Sequence, residues 1–198
     1  MVAREVFLSR GIRATTAEVA EKASVSEGSI FNRFKTKENL FREAMQISED
    51  DIPGMLLGVI EGMEKSDIEA GLSHLADGLL EVGRIALPLM MMSWSNPQNC
   101  GGPMKRNTEK FRMFIKALAS YFESHIASGQ LRNVDSEILA RVFLGSMHHY
   151  CMTRMFADEV GIDVIPEKIF KRGLIDLLVN GALSRGEATS SPYARRLE

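Results

Sequence analysis

The sequence predicts an all-α fold, with a helix-turn-helix unit at the N-terminus and a larger helical domain behind it. Apolar residues recur at three- and four-residue spacing along almost the whole chain. Gly, Pro and Asx residues stand at the breaks between these runs. No alternating apolar–polar runs flank a two-residue hairpin turn, and no repeat of fixed period appears.

Taken in order, the pattern predicts helices near 2–10, 16–23, 27–34 and 37–50. Met1 opens abruptly on what reads as mid-helix, so a short first helix or a trimmed chain is expected. Ile52-Pro53-Gly54 breaks the run, and helices near 55–64, 67–83 and 86–95 follow. Residues 96–103, with two prolines and two glycines, read as a loop. Long helices are predicted near 104–128, 135–157 and 165–184, with Asp135 as a cap and Pro166 in a first turn. The expected domains are 1–46 and 47–185, with a polar, disordered tail at 186–198.

Composition excludes several classes. With 45% hydrophobic and 25% charged residues, the 198-residue chain has the balance of a globular protein. Its longest apolar run, Ile85 to Met92, is too short to span a bilayer and contains Pro88. Two cysteines, Cys100 and Cys151, provide no disulfide framework, and a cytoplasmic location is expected. Net charge is −2, but residues 1–45 carry eight Lys/Arg against six Asp/Glu. The positive charge is local, at Arg33, Lys35, Lys37 and Arg42.

The chemistry lies in residues 15–41. Thr15 and Glu18 have the spacing of a capping box, which opens a helix burying Val19, Ala20 and Ala23. Ser24-Val25 makes a turn, and Ser26 caps a second helix whose Ile30 and Phe34 face inward. Glu27, Gly28, Ser29, Asn32 and Arg33 are left on or near its outer face, where a second helix of this kind enters the DNA major groove. Gly28 removes a side chain at the point of closest approach to the DNA backbone. Thr36 caps a further helix with Lys37 in its first turn. Glu27 has a second reading, as a carboxylate favoured at a helix N-terminus.

The strings TTAEVAEKA, VSEGSIFNRF and KTKENLF resemble, in order, the signature stretch of the TetR family of bacterial transcriptional regulators. The resemblance covers roughly residues 3–45 and weakens beyond, where only the helical layout and the segment 129–143 look similar. It implies a dimer reading a pseudo-palindromic double-stranded operator, with half-sites about 34–36 Å apart. It also implies DNA contacts at Ser29, Phe31, Asn32 and Lys37 and a phosphate contact at Thr16. Asn32 suits adenine, Arg33 guanine or phosphate, and Lys35 and Lys37 phosphates. Two positions depart from the family: Ser24 replaces a turn glycine, and Phe31 replaces a tyrosine whose hydroxyl bonds phosphate. A rival reading is a helical ligand-binding or interaction module that does not bind DNA. Steep salt dependence of DNA binding separates the two.

The second half is rich in adaptable side chains, around Met90-Met91-Met92 and Trp94 and again from Met147 to Phe156. Met91, Trp94, Met147, His148, Cys151 and Met152 are candidate walls for a small apolar or aromatic effector. The same residues also suit plain core and subunit interface. His148, Cys151 and Met152 share a helix face, but without further His or Cys nearby a metal site is not expected. No cofactor or catalytic motif is found, so the chain is not expected to be an enzyme. The resemblance implies that the broad apolar faces near 135–157 and 165–184 form a homodimer surface, though an intrachain core would use the same faces, and repression is expected over activation by resemblance alone.

Overall fold

The computed structural model describes residues 2–47, 50–94, 108–161 and 163–181. Among these residues the chain is helical, without a strand. Helices α1 (Val2–Arg10), α2 (Thr16–Lys22), α3 (Glu27–Phe34) and α4 (Lys37–Met45) form the N-terminal group, with a 3-10 turn at Gly11–Arg13 after α1. Behind it lie α5 (Ile52–Glu61), α6 (Ile68–Trp94), α7 (Thr108–Ala127), α8 (Ser136–Val160) and α9 (Glu167–Asn180). The tail at 186–198, the loop at 96–103 with Cys100, and the character of Met1 lie outside the described residues.

Local chemistry sets most boundaries. Thr15 accepts the Glu18 amide, Ser26 the Ser29 amide, Thr36 the Asn39 amide and Asp135 the Ile138 amide, so each cap satisfies an otherwise orphaned donor. Helix α4 ends earlier than the expected residue 50. Gln46 turns left-handed there, at φ 54°, and donates its N–H to the Arg42 carbonyl. Helix α5 starts earlier than expected, with Pro53 in its first turn, where a missing N–H costs nothing.

The larger correction is α6. The expected helices 67–83 and 86–95 are one continuous helix with Pro88 inside it. An interior proline forfeits a backbone bond. Its neighbours Leu87 and Leu89 are buried, at 7% and 0% exposure, so tertiary packing outweighs the local penalty.

Helix α6 is the axis of the molecule, packing against α4, the 3-10 turn, α5, α8 and α9. The core runs along it through Leu72, Leu75, Ala76 and Leu89 to Leu118 of α7 and Phe143 of α8, all fully buried. The far end of α7 is fastened to the link between α5 and α6. There the Tyr121 hydroxyl donates to the Glu64 carbonyl at 3.0 Å and the Gln130 amide to the Ser66 carbonyl at 3.1 Å. Helix α9 is held by Tyr150 stacked on Phe170 at 4.1 Å and by Lys171 paired with Asp77 at 2.7 Å. No helix among the described residues is long and apolar enough to cross a membrane.

Candidate nucleic-acid interface

The N-terminal group is a small core that holds one helix outward. Phe7 of α1 meets Phe41 of α4 edge-on, with ring centroids 4.9 Å apart, and Val6, Ala14, Val19, Ala20, Ile30 and Leu40 are buried with them. Ile30 anchors α3 by its inner face. Ser26, Glu27, Gly28, Ser29, Phe31, Asn32 and Arg33 all lie on the exposed side. Phe31 is 62% exposed, a costly position for an aromatic ring in a free protein.

The joint between α2 and α3 is polar and well satisfied. The Thr15 amide donates to Glu18 Oε2 at 2.8 Å while the Glu18 amide donates to Thr15 Oγ1 at 3.0 Å, completing the capping box. Arg10 reaches the same carboxylate at 3.0 Å, a support that sequence spacing did not reveal because it arises from the fold of α1 onto α2. The Thr15 amide bond first, and Arg10 second, hold the Glu18 carboxyl below the ordinary glutamate value. The Thr16 hydroxyl donates to Glu27 Oε1 at 2.6 Å, bridging α2 to the first turn of α3. The Glu27 carboxylate thus sits at the N-terminus of α3 and also holds the Thr16 hydroxyl that is expected to meet phosphate. The Ser26 and Ser29 hydroxyls lie 2.8 Å apart.

Two left-handed residues set the angle of α3. Ser24 has φ 55° in the preceding turn and Lys35 φ 66° at the C-terminal end. Such a conformation costs a non-glycine roughly 1 kcal/mol or more. Asn39 secures the exit by donating its side-chain amide to the Phe34 carbonyl at 3.0 Å. Arg33 lies over the Phe34 ring, 5.3 Å from its centroid, a contact that pre-orders its guanidinium at the rim. Lys37 is half-buried beside this edge, and burial lowers its ammonium from the ordinary lysine value, opposed by the Glu18 carboxylate. The structure thus brings Thr16 and Ser26 to Lys37 into one connected region around α3.

The candidate effector residues do not gather in the same way. Met147 is buried and His148 exposed, Met91, Cys151 and Met152 are half-buried, and the Trp94 side chain lies outside the described residues. Of these, Cys151 lines a cavity of about 330 Å³ where α1 and the 3-10 turn meet α6 and α8. Among the described residues no group of three or more His, Cys, Asp or Glu is placed to hold a metal.

Known proteins place this arrangement. Residues 2–44 match the family model described as bacterial regulatory proteins, tetR family. The chain is 28% identical over 170 residues to the uncharacterized HTH-type transcriptional regulator YvkB of Bacillus subtilis (strain 168), covering 85% of this chain and 87% of that protein. Its fold is similar to that of the TetR family transcriptional regulator PfmR from Thermus thermophilus (TM-score 0.58, 17% identity, 92% of this chain and 97% of that one). It is similar also to AibR, solved in complex with isovaleryl coenzyme A and operator DNA (TM-score 0.53, 15% identity, 90% and 94% covered). The N-terminal helices thus carry the match to the tetR family of bacterial regulatory proteins, and over most of its length the chain is similar to an HTH-type transcriptional regulator.

Proposed function

We propose that the chain is a homodimeric repressor that binds a palindromic operator through paired α3 helices and is released when a small effector binds the helical body. The observation that carries this reading is the seating of α4. Its Leu40 and Phe41 are buried, at 2% and 1% exposure, and it packs against α1, α3 and α6. Motion of the body along α6 is therefore passed to α4 and on to α3. An effector that prefers one arrangement of these helices shifts the DNA-binding population, with a coupling of roughly 1–3 kcal/mol. AibR supports the reading in kind, as a protein of similar fold that carries a small molecule and operator DNA together. The dimer is supported by apolar residues left exposed on the two last helices, among them Ile138, Val142, Ile169 and Leu177.

The test is selection of DNA by the purified protein from a random pool. A two-fold symmetric site is expected, with affinity falling steeply as salt rises. Asn32→Ala should blur one base position per half-site, at a cost of about 1–3 kcal/mol. Lys37→Ala should weaken all sequences alike and lower the salt slope by about one. Enrichment of no common sequence would overturn the proposal.

A further inference from the structure

The cavity between the N-terminal helices and the body has an uneven chemistry. Phe7, Leu80, Leu87 and Pro88 give it a buried apolar floor, with Cys151 and Met155 half-buried beside them. Its remaining polar wall is dominated by Arg10, Arg13, Arg84 and Arg154, and among the described residues no carboxylate lines it. These four guanidinium groups come from three separate segments: α1 with its 3-10 turn, α6 and α8.

Three of these arginines pair with carboxylates that are not among the lining residues. Arg10 pairs with Glu18 at 3.0 Å, Arg84 with Glu81 at 2.8 Å and with Glu167 at 3.6 Å, and Arg154 with the same Glu167. One carboxylate is therefore shared between two guanidiniums. The arginine side chains are well exposed, at 59%, 53% and 41% for Arg10, Arg84 and Arg154. Exposed pairs of this kind hold weakly and yield to a competing anion. A carboxylate or phosphate entering the rim is met in the forked geometry that guanidinium favours. A short alkyl or aryl tail would then replace water over the apolar floor. The volume is that of a small-ligand site.

Space at the floor depends on Gly83. A Cβ there would lie 3.1 Å from Cys151 Sγ, so its absence keeps the approach of α6 to α8 open beside the thiol. Burial pushes that thiol up, which makes it a slow nucleophile and a convenient reporter rather than a reactive group.

We propose that this junction cavity binds an anionic amphiphile, a carboxylate or phosphate head on a short apolar tail. Occupancy bridges α1 and its turn to α6 and α8. The inference rests on the regulatory reading for its consequence, but not for the site itself. It also adds an acidic head to the small apolar or aromatic effector expected from sequence.

Titration calorimetry on the full chain tests it with three probes of equal tail, each below its micelle concentration: undecanoate, decyl phosphate and decyltrimethylammonium. At least one anion should bind, and the cation should bind at least about tenfold more weakly. The anion bound tells whether the head is a carboxylate, a phosphate or either. In the doubly substituted Arg84→Gln, Arg154→Gln protein, anion affinity should fall at least about tenfold with the helical content unchanged. In a Cys100→Ser background, the bound anion should slow alkylation of Cys151. Failure of both anions to bind, equal binding of the cation, indifference to the arginine changes or an unprotected Cys151 would each overturn the site. If an anion binds there but moves affinity for the selected DNA by less than about fivefold, the release mechanism fails while the site stands.

Discussion

Gly28 shows how a single position separates folding from function. It lies exposed in the first turn of α3, and a Cβ there would meet nothing closer than Ser26 Oγ at 3.8 Å. The fold itself therefore gives no reason for glycine, whereas the proposed close approach of a DNA backbone would. Gly28→Ala should leave the protein as stable or up to about 1 kcal/mol more stable, while operator affinity falls. Thermal melts and DNA titration on one preparation check both signs. Glu18 gives a second residue-level expectation. Its folded carboxyl lies below its ordinary value of 4.5, so its support is present above that value and is lost as pH falls through the lower, folded one. Protection of the α2 amides, taken relative to the intrinsic exchange rate at each pH, should fall as pH is lowered through this window, and Glu18→Gln should flatten the response.

At the scale of elements, the caps were legible because they are local. Thr15 with Glu18, Ser26, Thr36 and Asp135 each work within one helical turn, so spacing alone exposes them. The outer face of α3 was legible for the same reason. The continuity of α6 was not. Gly83 and Pro88 carry the local marks of a break, and only the buried leucines around them, which answer to distant helices, keep the helix whole. Gly71 in the same helix gives a sharper test of packing. A Cβ there would stand 1.9 Å from the Tyr121 hydroxyl and 2.7 Å from the Glu64 carbonyl, the two groups that bond each other. Burial pushes that hydroxyl up to about 12, so it stays protonated as the donor throughout the neutral range. Gly71→Ala should cost about 1–3 kcal/mol in denaturant melts, and adding Tyr121→Phe should return only part of it, because the carbonyl remains in the way.

At the scale of the molecule, the arginine-walled cavity left no trace in the linear pattern. It is assembled from residues 7–13, 80–88 and 151–155, and its charges show no periodicity within any one of these segments. Of the described residues proposed for an effector from sequence, Cys151 alone reaches it. Methionine content marked adaptable packing but not its location. The exposed apolar residues of α8 and α9 lead to an expectation about assembly. Ile138 and Val142 are one turn apart on α8, at 59% and 46% exposure, where a monomer would present them to water. The wild-type protein should sediment as a dimer at micromolar concentration and Val142→Arg as a monomer with unchanged helicity. A monomeric wild-type protein under those conditions would contradict the assembly.

The seating of α4 on α6 also bears on portability. Residues 1–46 fall below the usual size of a self-sufficient domain. Their buried Leu40 and Phe41 belong to a helix shaped partly for this particular body. On the proposed function, DNA specificity in this chain is thus not a detachable cassette. A chimera that transplants the whole N-terminal segment should inherit a mismatched joint, whereas exchanging only the outward side chains of α3, the proposed reading face, should alter what is read and leave the joint untouched.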